Sequence, residues 1–139
     1  MNSLDKLIKN YLEETNTKKE KWRVEKTSSI LDVWFVSEKY EALFIFTYED
    51  KEKIQLTNID RSIQGPRRQG YGTKALKTIE NTLQEIGKIK NKDVIMHFEV
   101  IENQKDTKKW LIKNNYELKN NHKLKNNIYT KTIYLKNNN

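Results

Sequence analysis

A glycine-rich turn carries the clearest chemical signal in this chain. Two arginines and two glycines occur close together in Arg67-Arg68-Gln69-Gly70-Tyr71-Gly72, although the whole sequence contains only 4 glycines. Apolar residues at helical spacing follow, so the turn leads directly into a helix. Glycine allows the backbone to approach a ligand closely, and the unpaired N–H groups at a helix N-terminus attract anions. The turn therefore predicts a binding site for a phosphate or pyrophosphate group.

Two common nucleotide-binding patterns fit this turn incompletely. Gly65 and Gly70 have the glycine spacing of a P-loop, but that motif continues with Lys and Ser or Thr, whereas this chain continues with Tyr71-Gly72. Gly70-x-Gly72-x-x-Ala75 also fits the dinucleotide-binding fingerprint. That fingerprint directly follows a parallel strand, whereas antiparallel strands are predicted before this turn. A plain surface loop that caps the helix is a further alternative, which does not explain why the arginines and glycines are clustered.

A third pattern, Arg/Gln-x-x-Gly-x-Gly/Ala, is met by Arg67-x-x-Gly70-x-Gly72. This pattern is the acetyl-coenzyme A signature of the GCN5-related N-acetyltransferases, and residues 41–135 resemble that family. The resemblance implies that acetyl-coenzyme A is the co-substrate, with its pyrophosphate on the amides of the turn and its pantetheine arm near the end of the fourth strand. The cofactor-binding residues expected on this basis are Ser62, Ile63, Arg67, Arg68, Gln69, Gly70, Tyr71, Gly72, Thr73 and Asn103.

The resemblance to the family weakens after the fifth strand. Asn103 matches an asparagine that often contacts the cofactor arm, and its alternative role is that of a helix N-cap. Trp110 matches an aromatic residue of the family, and Tyr116 matches a core phenylalanine. Leu111, however, stands where many members have the tyrosine that protonates the coenzyme A thiolate. Because leucine cannot donate a proton, either Tyr129 or water must do so, or the activity is weak or absent.

Two carboxylates are candidates for removing the proton of an acceptor amine. Glu99 belongs to the predicted fifth strand and Asp60 lies near the end of the fourth, and either can act as a general base. The alternative for each is a solvated or salt-bridged carboxylate. His97 alternates with Glu99 on the same strand face and is expected to be an ordinary sheet histidine. Two isolated histidines, the other being His122, and no cysteines predict that the chain binds no metal.

The composition restricts the class of protein. The chain has 139 residues, of which 35% are hydrophobic and 33% charged, which suits a single globular domain spanning 1–139. No apolar run is long enough to span a membrane, and the first residues lack the layout of a signal peptide. The absence of cysteine excludes disulfides and favours a cytoplasmic location.

The net charge of +8 indicates attraction to an anionic partner. Nucleic acid is one such partner, with Trp22 and Trp34 as candidates for base stacking. Nearly all of the basic residues are lysines, however, and asparagine is abundant, so a compositional bias explains the charge equally well. A small nucleic-acid-binding protein is therefore a less favoured alternative.

Hydrophobic periodicity predicts the elements that position these residues. An amphipathic helix in residues 3–15 belongs to an N-terminal segment, 1–20, and the helix after the turn is expected to end with Gly87 as its C-cap. A further helix is predicted in residues 103–114, and residues 136–139 are expected to fray. The predicted strands are 22–26, 30–37, 42–48, 53–59, 94–101, 116–118 and 128–135.

These elements predict an α/β (α+β) fold with a mixed, mostly antiparallel central sheet and helices on both of its faces. In the family that the chain resembles, the fourth and fifth strands splay apart and the pantetheine arm enters between them. The family also has two helices between its first two strands, over the acceptor groove, and this sequence leaves no room for them. Recognition of the acceptor therefore cannot be transferred from the family.

The predicted function is transfer of an acetyl group from acetyl-coenzyme A to a primary amine of a small molecule or a protein. The main alternative is a catalytically weak or inactive module that binds an acyl-coenzyme A and acts in regulation or protein interaction. No membrane partner is expected, and the chain is expected to be a monomer or a homodimer.

Overall fold

Three helices and seven strands make up the described part of the chain, which comprises residues 3–65, 70–119 and 127–136 of the computed structural model. Every predicted element is present and in the predicted order. The largest difference is in the fourth strand, which continues to Gln64 instead of ending at residue 59. The elements are α1 (Leu4–Glu14), β1 (Glu20–Thr27), β2 (Ile30–Ser37), β3 (Glu41–Asp50), β4 (Ile54–Gln64), α2 (Tyr71–Lys90), β5 (Val94–Val100), α3 (Lys105–Lys113), β6 (Glu117–Lys119) and β7 (Asn127–Tyr134).

The seven strands form one sheet in the order β1-β2-β3-β4-β5-β7-β6. Every neighbouring pair is antiparallel except β4 and β5, which are parallel. The short turns between the first four strands allow only antiparallel pairing, whereas α2 supplies the long crossover that a parallel pair requires. The predicted mixed, mostly antiparallel sheet is therefore confirmed.

The hydrophobic core lies between the helices and one face of the sheet. Alternate residues of the long strands are buried, as Leu31, Val33 and Phe35 are in β2. α1 buries a stripe that includes Ile8 and Leu12, and α2 buries a similar stripe along its length. These spacings follow from the two-residue period of a strand and the 3.6-residue period of a helix. Burial of such side chains contributes about 1.5–3 kcal/mol each to the stability of the fold.

All three helices contact the same face of the sheet. Gly87 of α2 lies next to Val94, and Trp110 of α3 makes an edge-to-face contact with Phe98 at 6.3 Å between ring centroids. Val94 and Phe98 are an even number of residues apart and so point to the same side of β5. α1 packs against β1 and α2. The expectation of helices on both faces is therefore wrong for the described residues, since a tight turn at Ser28-Ser29 joins β1 to β2 and leaves no chain for a helix.

β4 and β5 part from each other halfway along β4. Their parallel pairing runs from Ile54 opposite Val94 to Asn58 opposite Phe98. Beyond Asn58, β4 continues to Gln64 in contact with β3, while β5 pairs with β7. The two strands thus form a cleft that opens at their carboxyl ends, as the resemblance implied.

The end of α2 differs from the prediction. The helix continues past Gly87 to Lys90, and Asn91 forms the C-cap in the left-handed conformation, with φ 51°. Gly87 is buried inside the helix. A Cβ atom there would lie 2.5 Å from Tyr134 and 2.9 Å from Val94, so no larger side chain fits. This glycine permits close packing of α2 on the sheet and is not the cap.

The C-terminal tail is attached to the fold at Lys136, whose backbone N–H donates a hydrogen bond to Asp93 Oδ1 at 2.8 Å. Residues 137–139, the rest of the segment that was expected to fray, lie outside the described residues.

Candidate functional site

The head of α2, defined here as Gly70 to Thr73, combines a special backbone conformation with an open surface. Gly70 is the N-cap, and its φ of 75° lies in the left-handed region that glycine adopts without cost. A Cβ atom at Gly70 would have no heavy atom within 4 Å among the described residues. No side chain of those residues caps the helix, so the N–H groups of its first turn have no side-chain acceptor within the described part of the chain. Arg67, Arg68 and Gln69 lie outside the described residues.

Aromatic and apolar side chains form the floor beneath the head of α2. A Cβ atom at Gly72 would lie 3.6 Å from the Tyr40 hydroxyl, 3.7 Å from Ile63 Cδ1 and 3.7 Å from Trp110 Cζ2. The indole Nε1 of Trp110 also donates a hydrogen bond to Thr73 Oγ1 at 3.0 Å. Of the predicted cofactor-binding residues, the structure thus brings Ile63, Gly72 and Thr73 together.

The Tyr40 hydroxyl is buried beneath this site without a hydrogen-bond partner among the described residues. The residue is only 4% exposed, and its ring stacks on that of Tyr71 at 4.8 Å between centroids. Burial raises the pKa of Tyr40 to about 12, still further above neutral pH than that of an ordinary tyrosine. The hydroxyl is therefore protonated and can donate a hydrogen bond. In the sequence, Tyr40 resembles any aromatic residue at a strand end, and no motif distinguishes it.

The other predicted cofactor residues that the structure describes are on β4 and before α3. Ser62 and Ile63 belong to the part of β4 that no longer pairs with β5, and Ile63 is 48% exposed. Asn103 is exposed and precedes α3. The N-cap of α3 is Gln104, without a side-chain hydrogen bond, so the alternative role of Asn103 as the helix cap is wrong.

Arg61 crosses the cleft between β4 and β5. Its Nη1 donates hydrogen bonds to Asn58 Oδ1 at 3.0 Å and to the backbone oxygen of Glu99 at 3.1 Å, and its Nη2 donates to Gln104 Oε1 at 2.9 Å. Burial lowers the pKa of the guanidinium, although an arginine remains charged in any protein. Arg61 could not be identified as a site residue from the sequence because it belongs to no known motif.

The three predicted catalytic side chains do not converge. Glu99 alternates with the core residue Phe98, and Asp60 pairs with Ile45, so both carboxylates are on the face that lacks helices. Tyr129 pairs with Phe98 across β5 and β7 and is therefore on the helix-covered face, where it is 4% exposed. Two carboxylates thus flank the cleft on one side of the sheet, and the tyrosine lies on the other.

Of the two histidines, only His97 lies within the described residues. It is half-buried on the same face as Glu99, as predicted, and burial lowers its pKa, with a further contribution from Lys119 and Lys53. No group of three or more His, Cys, Asp or Glu residues able to hold a metal occurs in the described part of the chain.

Leu111 and Tyr116 are core residues. Leu111 has no exposed surface, and Tyr116 is 2% exposed with its hydroxyl donating to Glu80 Oε2 at 2.8 Å. Both side chains are therefore sealed into the core in this protein.

None of the described helices is long and apolar enough to cross a membrane.

Comparison with solved structures identifies a close match in fold. The crystal structure of the ribosomal-protein-S18-alanine N-acetyltransferase from Escherichia coli matches with a TM-score of 0.60 over 99% of this chain and 94% of that chain. The sequence identity is 13%. A scan against protein-family models finds no match, and a search of curated proteins also finds none. The chain has an N-acetyltransferase-like fold.

Proposed function

We propose that this chain is an N-acetyltransferase that binds acetyl-coenzyme A at the head of α2 and transfers its acetyl group to a primary amine. The observation that carries the proposal is the left-handed Gly70 at a helix N-terminus that no described side chain caps, with no described heavy atom within 4 Å of its Cβ position. A pyrophosphate there accepts hydrogen bonds from the N–H groups of the first turn and is stabilised by the helix dipole. Arg67 and Arg68 add positive charge close by in the sequence.

The cleft between β4 and β5 supports a path for the pantetheine arm. Beyond Asn58, the edge of β4 that faces β5 pairs with none of the described strands, which supports backbone hydrogen bonds from the arm near Ser62 and Ile63. Ile63 also contacts the head of α2, which joins the two parts of the site. An extended ligand bound at the N-terminus of α2 can therefore reach into the cleft between β4 and β5.

Acetyl transfer requires a neutral amine that attacks the thioester carbonyl. The carbon–nitrogen bond forms, the carbon–sulfur bond breaks, and the thiolate of coenzyme A leaves. Glu99 or Asp60 removes the proton of the amine, directly or through water, from the open face of the sheet. Tyr129 or water protonates the thiolate, and Tyr129 suits this role because it pairs with Phe98, where the strands part.

Titration calorimetry with acetyl-coenzyme A tests the binding site. We expect the wild-type chain to bind, and we expect Gly70→Val to lose binding because its side chain would fill the ligand space and its backbone would be strained at φ 75°. Asn81→Val is the matched control, since it places the same side chain at an exposed position of α2 away from the head of the helix. No binding by the wild type at millimolar ligand would reject the proposal, and equal affinity for Gly70→Val would reject the location.

A binding module without turnover is the second candidate function, and the fully buried Leu111 favours it. A thiol-release assay over a panel of primary amines distinguishes the two candidates. We expect amine-dependent release of coenzyme A, with a lower rate for Tyr129→Phe at unchanged affinity for acetyl-coenzyme A. Binding without release for any amine would instead support the module.

A further inference from the structure

Arg61 is held rigidly at the point where β4 and β5 part. Its three hydrogen bonds reach β4, β5 and the residue before α3, and its guanidinium carbon lies 6.0 Å from the ring centroid of Phe98. Asn58, which is fully buried, helps to orient it. The amide nitrogen of Asn58 donates to the backbone oxygens of Ile45 and Asp60, so its Oδ1 must face Arg61. The guanidinium is therefore oriented before any ligand arrives.

Within residues 3–65, 70–119 and 127–136, no carboxylate forms an ion pair with the Arg61 guanidinium. All 19 Asp and Glu residues belong to the described part of the chain, and none has an oxygen within 4.0 Å of the Arg61 guanidinium nitrogens. Its three acceptors are two side-chain amides and one backbone carbonyl, all of them neutral. The neighbouring Asp60 carboxylate instead accepts the backbone N–H of Arg61 at 2.8 Å. Burial lowers the pKa of the Arg61 guanidinium more than the nearby Asp60 charge raises it. A partly buried cation without a direct ion pair is costly, and an anionic ligand in contact with it would reduce that cost.

One edge of the guanidinium remains available for such a ligand. Nη1 uses both of its hydrogens and Nη2 uses one, whereas Nε makes no hydrogen bond within the described residues. Nε keeps its hydrogen and Nη2 keeps one, so the guanidinium can donate two further hydrogen bonds to a carboxylate. We propose that Arg61 is a carboxylate-binding site in the β4/β5 cleft that selects a substrate with an acidic group.

Arg61 is connected to the head of α2 by a line of side-chain contacts. Phe98 contacts both Arg61 and Trp110, and Trp110 is hydrogen-bonded to Thr73.

The assignment of the carboxylate to a substrate rests on the proposed acetyltransferase function. Within that function, the carboxylate belongs either to the acyl chain of the thioester, as in succinyl-coenzyme A, or to the acceptor, as in an amino acid.

A titration of the wild-type chain with sodium succinate tests the carboxylate site without coenzyme A. The chain contains only four arginines, so the Nε–H signals are few enough to assign by NMR. We expect a saturable shift of the Arg61 signal and none for Arg23, which is exposed and already paired with Glu25 at 3.4 Å. A shift of Arg61 no larger than that caused by sodium chloride at equal ionic strength would overturn the proposal, whatever the outcome with coenzyme A.

Matched ligand pairs identify the source of the carboxylate. Calorimetry compares succinyl- with acetyl-coenzyme A, and thiol release compares glycine with methylamine as acceptors. We expect the wild type to prefer the acidic member of one pair by about tenfold or more. Arg61→Met should abolish this preference, Arg61→Lys should keep part of it, and Arg23→Met, which changes the net charge equally, should keep all of it.

The matched ligand pairs also distinguish an Arg61 that binds a ligand from an Arg61 that only stabilises the fold. If Arg61 only holds β4 and β5 together, Arg61→Met lowers the melting temperature. The affinity or rate then changes equally for both members of each ligand pair, which contradicts the proposal. If acetyl-coenzyme A fails to bind but succinate still shifts the Arg61 signal, the carboxylate site stands and the acetyltransferase function fails.

Discussion

At the scale of single residues, the structure distinguishes two buried tyrosines by their hydroxyl groups. The Tyr116 hydroxyl donates to Glu80, whereas the Tyr40 hydroxyl has no partner among the described residues. Burying a hydroxyl without a hydrogen bond costs about 1–3 kcal/mol. We therefore expect Tyr40→Phe to raise the free energy of unfolding by about 1 kcal/mol or more, as measured by urea denaturation.

Tyr116→Phe is the control for the Tyr40 prediction. It removes the same atom from a residue of similar burial, but it leaves Glu80 without one hydrogen bond, so we expect it to lower the free energy of unfolding by about 1.5–3 kcal/mol. If Tyr40→Phe also lowers the stability, its hydroxyl must have a partner in the folded protein, and its availability to a ligand would be refuted.

The candidate site was only partly predictable from individual residues. Gly70 and Gly72 could be identified because glycines next to arginines at the start of a helix form a local pattern. Tyr40 and Arg61 could not, because their importance arises from their surroundings after folding: among the described residues, the Tyr40 hydroxyl has no hydrogen-bond partner and the Arg61 guanidinium has no direct ion pair. Neither property is visible in the order of residues along the chain.

At the scale of elements, α2 depends on close contact between a glycine and two neighbouring strands. A Cβ atom at Gly87 would come within 2.5 Å of the Tyr134 ring, on β7, and within 2.9 Å of Val94, on β5. Because the ring must move or α2 must lift from the sheet, we expect Gly87→Ala to lower the free energy of unfolding by about 1–3 kcal/mol. Urea denaturation of Gly87→Ala and Gly72→Ala, compared with the wild type, measures this effect.

Gly72→Ala is also in α2, but its Cβ would meet only ordinary contacts at 3.6 Å or more. We expect the stability of that variant to remain unchanged or to rise slightly, since alanine is the better helix former. Equal stability of the two variants would contradict the packing role of Gly87.

The elements themselves were predictable, and their arrangement was predictable only in part. Alternation identified the strands and the 3.6-residue period identified the helices, since each records which side of an element is buried. The end of α2 was misjudged because glycine is a common C-cap, and here Asn91 has that role one turn later. The position of all helices on one face was not predictable, because periodicity shows that an element has a buried side but not what covers it.

At the scale of the whole molecule, the sheet has a protected centre and exposed ends. β3, β4 and β5 each have a strand on both sides, whereas β1 and the three-residue β6 are at the edges. Backbone amides in the centre exchange with solvent only when a large part of the structure opens. We expect hydrogen exchange to be slowest in β3 and in β4 up to Asn58, where β4 also pairs with β5, and fastest in β6, as measured by NMR or mass spectrometry. Protection of β6 equal to that of β4 would contradict this arrangement.

The parallel pairing of β4 with β5 also determines when the cleft can form. β1 to β4 are joined by short turns and can pair in sequence, but β5 reaches β4 only after the 20-residue α2 has folded across the sheet. Contacts between residues that are distant in the sequence form late, because closing a long loop has a high entropic cost. We therefore expect the walls of the cleft to meet after the hairpins of β1 to β4 have formed. A ligand that binds in the cleft would then contribute to folding only after those hairpins are in place.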